Sequence, residues 1–180
     1  MAICNPTGSL SVTIREEIRL PNGNMEQSIN TEVIKNVNQI MKRTDTIAPT
    51  FSGSGIEILK FVDSEEQQTA GSFVRDTVKY MRFTNLCSTN FVSLYLIQDS
   101  PEAQNPNTSN VGSGDESLFK LDAGKSMVFS NAQFQGTDYY DYVVEGYVDI
   151  QYFSSFASLS SIKAKADTAN VQIEYFVASS

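Results

Sequence analysis

From Leu10 to Leu20 the chain alternates apolar and polar side chains. Leu10, Val12, Ile14, Ile18 and Leu20 fall on one face, with Glu16 the exception in that row. Ser11, Thr13, Arg15, Glu17 and Arg19 fall on the other. In a strand successive side chains point to opposite faces, so this row predicts a half-buried strand and excludes a helix. Pro21-Asn22-Gly23-Asn24 then predicts a turn.

The same signal recurs along the chain. Tyr140, Tyr142, Val144, Gly146, Val148, Ile150 and Tyr152 share one side of a second long row, with Gly146 marking a bulge or a close backbone approach. Shorter strands are predicted over Ile56–Val62, Thr77–Thr84, Phe91–Gln98, Leu118–Leu121, Ser126–Ser130, Ile162–Ala166 and Val171–Val177. Asn85–Asn90 reads as a hairpin connection and Asp122–Lys125 as a further turn. Phe91–Ile97 is apolar on both sides, as a central strand would be. Ile29, Val33, Ile34, Val37, Ile40 and Met41 follow a spacing that predicts one short helix over Ile29–Met41. A strand from about Val37 into Thr44–Ile47 is the alternative. Nine or ten strands with one helix define an all-β, antiparallel sandwich or barrel in a single domain, 1–180. The first eight residues precede the first strand as a candidate arm. Residues 98–116 form a long polar loop, either a mobile excursion or a contact segment.

Composition removes much chemistry. The 180 residues contain no histidine and no tryptophan, and only two cysteines, Cys4 and Cys87. Without histidine the usual Ser-His-Asp and Cys-His triads and the His-containing metal sites cannot be built. Thirteen basic against twenty-one acidic residues give a net charge of −8, which disfavours nucleic acid and anionic membranes as partners. The first residues carry neither the basic nor the apolar segment of a signal peptide, and no run is long enough for a transmembrane helix. Two reduced thiols in a cytosol-made protein are expected. Ser, Thr, Asn and Gln occupy 58 positions, so the surface is polar but weakly charged.

Local motifs offer no catalytic, cofactor-binding or metal site. Gly124-Lys125-Ser126 ends like a P-loop, but Phe119 stands where the first glycine belongs and no helix follows. Gly53-Ser54-Gly55 lacks the third glycine of a dinucleotide fingerprint. Asp141, Glu145 and Asp149 lie about 13 Å apart along a strand at ~3.3 Å per residue, too far for paired-carboxylate hydrolysis. Asp63-Ser64-Glu65-Glu66 lacks the ligand spacing of a calcium loop. Asn107-Thr108-Ser109 matches a glycosylation acceptor, which carries no weight without secretion. The tyrosine-rich segment is read as core, as an oligomer interface, or as a sugar platform on the outward Tyr139 and Tyr147.

Lys79-Tyr80-Met81-Arg82-Phe83-Thr84-Asn85-Leu86, Asn90-Phe91-Val92-Ser93-Leu94-Tyr95-Leu96, Phe119-Lys120-Leu121-Asp122-Ala123-Gly124-Lys125-Ser126 and Ile162-Lys163-Ala164-Lys165-Ala166-Asp167-Thr168-Ala169 occur in succession. This succession, over roughly residues 55 to 180, resembles small β-rich virion proteins of tailed bacteriophages, particularly those of marine and cyanobacterial hosts. The resemblance implies a jelly-roll-like sandwich without enzymatic activity or cofactor. It would be assembled in the host bacterial cytoplasm and located in the virion. A capsid decoration or cement subunit is the expectation, with itself as partner (a trimer favoured) and the major capsid protein or other virion proteins beside it. A tail, fibre or knob component is the alternative, and a carbohydrate-binding module the alternative of another class.

Overall fold

In a computed structural model, which describes residues 8–21, 23, 25–49, 55–98, 116–130 and 159–180, the alternating segments form eleven strands. They are β1 (Gly8–Arg19), β2 (Met25–Val37), β3 (Gln39–Ile47), β4 (Ile56–Val62), β5 (Ser72–Val74), β6 (Val78–Asn85), β7 (Val92–Gln98), β8 (Glu116–Leu121), β9 (Ser126–Ser130), β10 (Leu159–Ala166) and β11 (Val171–Ser179). The helices among the described residues are two single 3-10 turns, Glu65–Gln67 and Arg75–Thr77. The expected strand over Tyr140–Tyr152 lies outside the described residues.

Three sheets result. β1 and β2 form a two-stranded ribbon. A four-stranded sheet has the order β3-β11-β6-β9, and a five-stranded sheet the order β5-β4-β10-β7-β8. Setting aside the ribbon and the short edge strand β5, eight strands remain, and they pair from the outside in. β3 pairs with β11, β4 with β10, β6 with β9 and β7 with β8, all antiparallel. Four nested antiparallel pairs rolled into two sheets are a jelly roll. β5 extends the larger sheet through a parallel pairing with β4.

Side chains alternate into the space between the two sheets. Phe83, Tyr175 and Ile173 from one sheet meet Leu59, Leu94, Leu96 and Ile162 from the other, all 0–1% exposed. Each such large side chain contributes roughly 1.5–3 kcal/mol by leaving water. Phe129 packs edge-on against both Phe83 and Phe119, bridging β9 to β8 across the sandwich. Central β7 buries Val92, Leu94 and Leu96, while its other side, Ser93, Tyr95 and Ile97, is half-buried.

The structure corrects the expected helix over Ile29–Met41. That stretch is the second half of β2 and the start of β3. Ile29 and Val33 are four apart, a spacing that puts residues on one side of a helix and equally on one side of a strand. Pairing with β1 decides between them: Leu10 lies opposite Ile34, and the apolar row of β1 needs a neighbour. Asn36 adopts a positive φ of 59° where the register shifts from Ser9↔Lys35 to Gly8↔Val37. This is a bulge, and asparagine tolerates the left-handed conformation it requires. Gly8 accordingly belongs to β1 rather than to an arm, and residues 1–7 lie outside the described residues.

A second correction concerns Asn85–Asn90. It joins β6 to β7 across the sandwich, since these strands lie in different sheets and do not pair as a hairpin. Asp122–Lys125 likewise carries the chain from one sheet to the other.

Candidate functional site: the β1–β2 hairpin and the sheet beneath it

The hairpin rests on the outer side of the four-stranded sheet near its base and extends beyond it. Ile34 and Val37, with Leu10 and Val12 beside them, pack on Tyr80, Phe176 and Ala178. Tyr80 and Phe176 meet edge to face, 5.9 Å between ring centres, and burial pushes the Tyr80 hydroxyl pKa up. A cleft of about 10 Å³ between Val12, Ile14, Asn30 and Glu32 above and Tyr80, Val128 and Ser130 below has room for about one water. It is too small for a substrate.

Further along the same outer side, Glu174 accepts from Lys42 at 3.0 Å and from Arg82 at 2.7 Å. The Lys42 ammonium and the Arg82 guanidinium hold the Glu174 carboxyl below the usual carboxylate range. This three-strand ion network ties β3, β11 and β6 together.

Toward its tip the hairpin is exposed on both sides. The Gly23 amide donates to the Leu20 carbonyl at 3.0 Å, with Gly23 at φ 86°, which closes the turn expected at Pro21–Asn24. Ile18 is 55% exposed on one side, and Met25, Ile29 and Val33 are 61%, 61% and 53% exposed on the other. Thr13 and Thr31 hydroxyls meet at 3.0 Å, and Glu17 lies 2.7 Å from Arg19 and 3.5 Å from Arg15, which fixes these five side chains on one side. A two-stranded ribbon is marginally stable alone in water, and both of its edges carry unpaired backbone groups.

The other residues singled out in the sequence are dispersed. Lys125 lies in the β8–β9 turn, where its amide donates to Asp122 at 3.1 Å and Gly124 has φ 68°. Gly55 opens β4 at φ 87°, where a Cβ would collide with the Ala164 carbonyl, so its glycine is a packing requirement. Asp63 pairs with Arg75 at 3.0 Å, and Glu65 and Glu66 form the first 3-10 turn. Among the described residues no three Asp, Glu or Cys side chains gather as a metal site. Asp141, Glu145, Asp149, Tyr139, Tyr147, Cys4, residues 99–115 with Asn107-Thr108-Ser109, and Gly53 and Ser54 lie outside the described residues.

Two features went unread in the sequence, the buried role of Asn85 and the lowered pKa of the Cys87 thiol. Asn85, fully buried, donates from Nδ2 to the Asn90 carbonyl at 2.9 Å and the Leu121 carbonyl at 3.1 Å, and accepts from the Cys87 amide at 2.9 Å. It pins the β6–β7 crossover to the end of β8. Cys87 within that crossover is a free thiol. Hydrogen bonds from the Thr89 and Asn90 amides, with the Thr89 hydroxyl, lower its pKa to about 7.

The fold thus defines the chain as an all-β jelly-roll sandwich carrying a projecting two-stranded ribbon. No family model, no curated protein and no solved structure matches it.

Proposed function

We propose that the chain is a non-enzymatic virion structural protein of a tailed bacteriophage, a capsid decoration or cement subunit that works as a homo-oligomer, with a trimer favoured. The observation that carries this reading is the hairpin. Apolar side chains stand exposed on both sides of a ribbon that gains little stability by itself. Such an element becomes worth its exposure when another chain covers it. The resemblance of roughly residues 55 to 180 to small phage virion proteins supplies the setting, because a fold alone does not specify a function. Mechanically, apolar contacts across subunit boundaries would have to be broken before the shell could rupture. The chain would reach the particle from the host cytoplasm, with the major capsid protein as its second partner.

Immunogold labelling of the phage particles that encode this chain tests the reading. Label distributed over the head is the expected result. Label confined to tail or fibres replaces the decoration role with the tail alternative. Particles without label, together with glycan binding by the purified protein, would replace it with the carbohydrate-binding alternative.

A further inference from the structure

The two sides of the β1–β2 hairpin differ in charge. Strand register places Glu16, Glu26 and Glu32 with Ile14 and Ile18 on the side that faces the sheet at its base. The same register places Arg15, Arg19 and Lys35 with Met25, Ile29 and Val33 on the opposite side. Glu17 is the one acid there, and it is already held between Arg15 and Arg19. One side is therefore acidic and the other basic, and each has its own apolar row. Alternation already separates Glu16 from Arg15, Glu17 and Arg19 within β1, and the pairing of the strands adds Glu26 and Glu32 to the first side and Lys35 to the second.

We propose that this hairpin is a two-sided connector: the acidic side of one copy docks on the basic side of the hairpin of a second copy of this chain. A copy is the fitting occupant because one hairpin presents both complementary surfaces. The contact must join unlike sides. A two-fold contact through like sides would set Glu16 and Glu26, or Arg15 and Arg19, against their own counterparts, and like charges brought together are repelled. Ile18 then meets the row of Met25, Ile29 and Val33, and the opposed charges set the orientation. Head-to-tail contacts of this kind close into rings when the rotation per copy allows.

The inference rests on the assembly reading above but can fail separately from it. Sedimentation velocity of the full chain across a concentration series tests it with four variants. Ile29→Asp is expected to weaken association at least about tenfold, the loss of one central apolar anchor. Arg15→Glu with Arg19→Glu makes both sides acidic and is expected to leave a smaller species. Adding Glu16→Arg and Glu26→Arg to that variant reverses both sides together and restores assembly. Leu118→Asp, at a residue 60% exposed on β8, leaves assembly unchanged. Circular dichroism melting checks that each variant keeps its fold. An oligomer indifferent to the hairpin variants overturns the connector and leaves assembly through another surface. Failure of the doubly reversed chain to reassemble, with an unaltered melting curve, overturns it as well. A wild-type chain that stays monomeric also overturns it, and virion labelling then decides the assembly reading alone.

Discussion

Replacing Asn85 removes a group that three parts of the backbone share. In Asn85→Ala the carbonyls of Asn90 and Leu121 and the amide of Cys87 lose their partner. Each lost hydrogen bond costs about 1 kcal/mol, so the total is about 3 kcal/mol, reduced where water reaches the half-exposed crossover. For a domain of this length one kcal/mol moves Tm by roughly 2–4 °C, giving a drop of about 6–12 °C. Asn85→Asp sharpens the test. Its Oδ1 still accepts from Cys87, but the second oxygen faces two carbonyls where an amide had donated. Burial beside those oxygens raises the folded-state pKa of the new carboxyl above its unfolded value. Its stability is therefore greatest at low pH and is lost as pH rises through the folded pKa. Calorimetry at pH 7 should place Asn85→Asp below Asn85→Ala, and at pH 4 the gap should narrow or invert, each compared with wild type at the same pH. An Asn85→Ala chain melting within about 2 °C of wild type would refute the shared-group argument.

Tyr175, fully buried in the core, donates its hydroxyl to Asp45 at 2.6 Å, and Arg43 holds the other Asp45 oxygen at 2.9 Å. Burial, then the Asp45 hydrogen bond, push the Tyr175 pKa well above its ordinary 10.0. The stability this gives is present below the unfolded pKa and lost as pH rises beyond it, so Tyr175→Phe should cost about 1.5–3 kcal/mol at pH 7 and less in alkali. A constant difference in chemical-denaturation midpoint between pH 7 and pH 11 would contradict this. Cys87 should alkylate with iodoacetamide along a titration centred at about pH 7, and Thr89→Ala should move that midpoint upward. A midpoint unchanged by the variant would remove the Thr89 hydroxyl from the account.

Much of the fold was legible, and what was not has definite causes. Ile56–Val62 and Ser126–Ser130 have the bounds their patterns predict, because turn residues fence them: Gly55 before the first, Gly124 before the second. β2 was misread because a four-residue spacing cannot separate strand from helix, and the partner that decides lies in β1. The crossovers were unreadable for a related reason. Whether Asn85–Asn90 closes a hairpin or spans the sandwich depends on β9 and β11 flanking β6, contacts distant in sequence. The buried role of Asn85 depends on Leu121, 36 residues away. The hairpin surface was half visible. The apolar row of β1 was in the pattern, but that of β2 was taken for a helix face, and Glu26 and Glu32 join Glu16 on one side only once the register is known.

Light scattering on the wild-type chain eluting from a size-exclusion column at micromolar concentration tests the central claim most directly. Assembly through the hairpin predicts a mass that is an integral multiple of 19.9 kDa and falls toward 19.9 kDa only on dilution or in high salt. A mass of 19.9 kDa at every concentration and salt would contradict it.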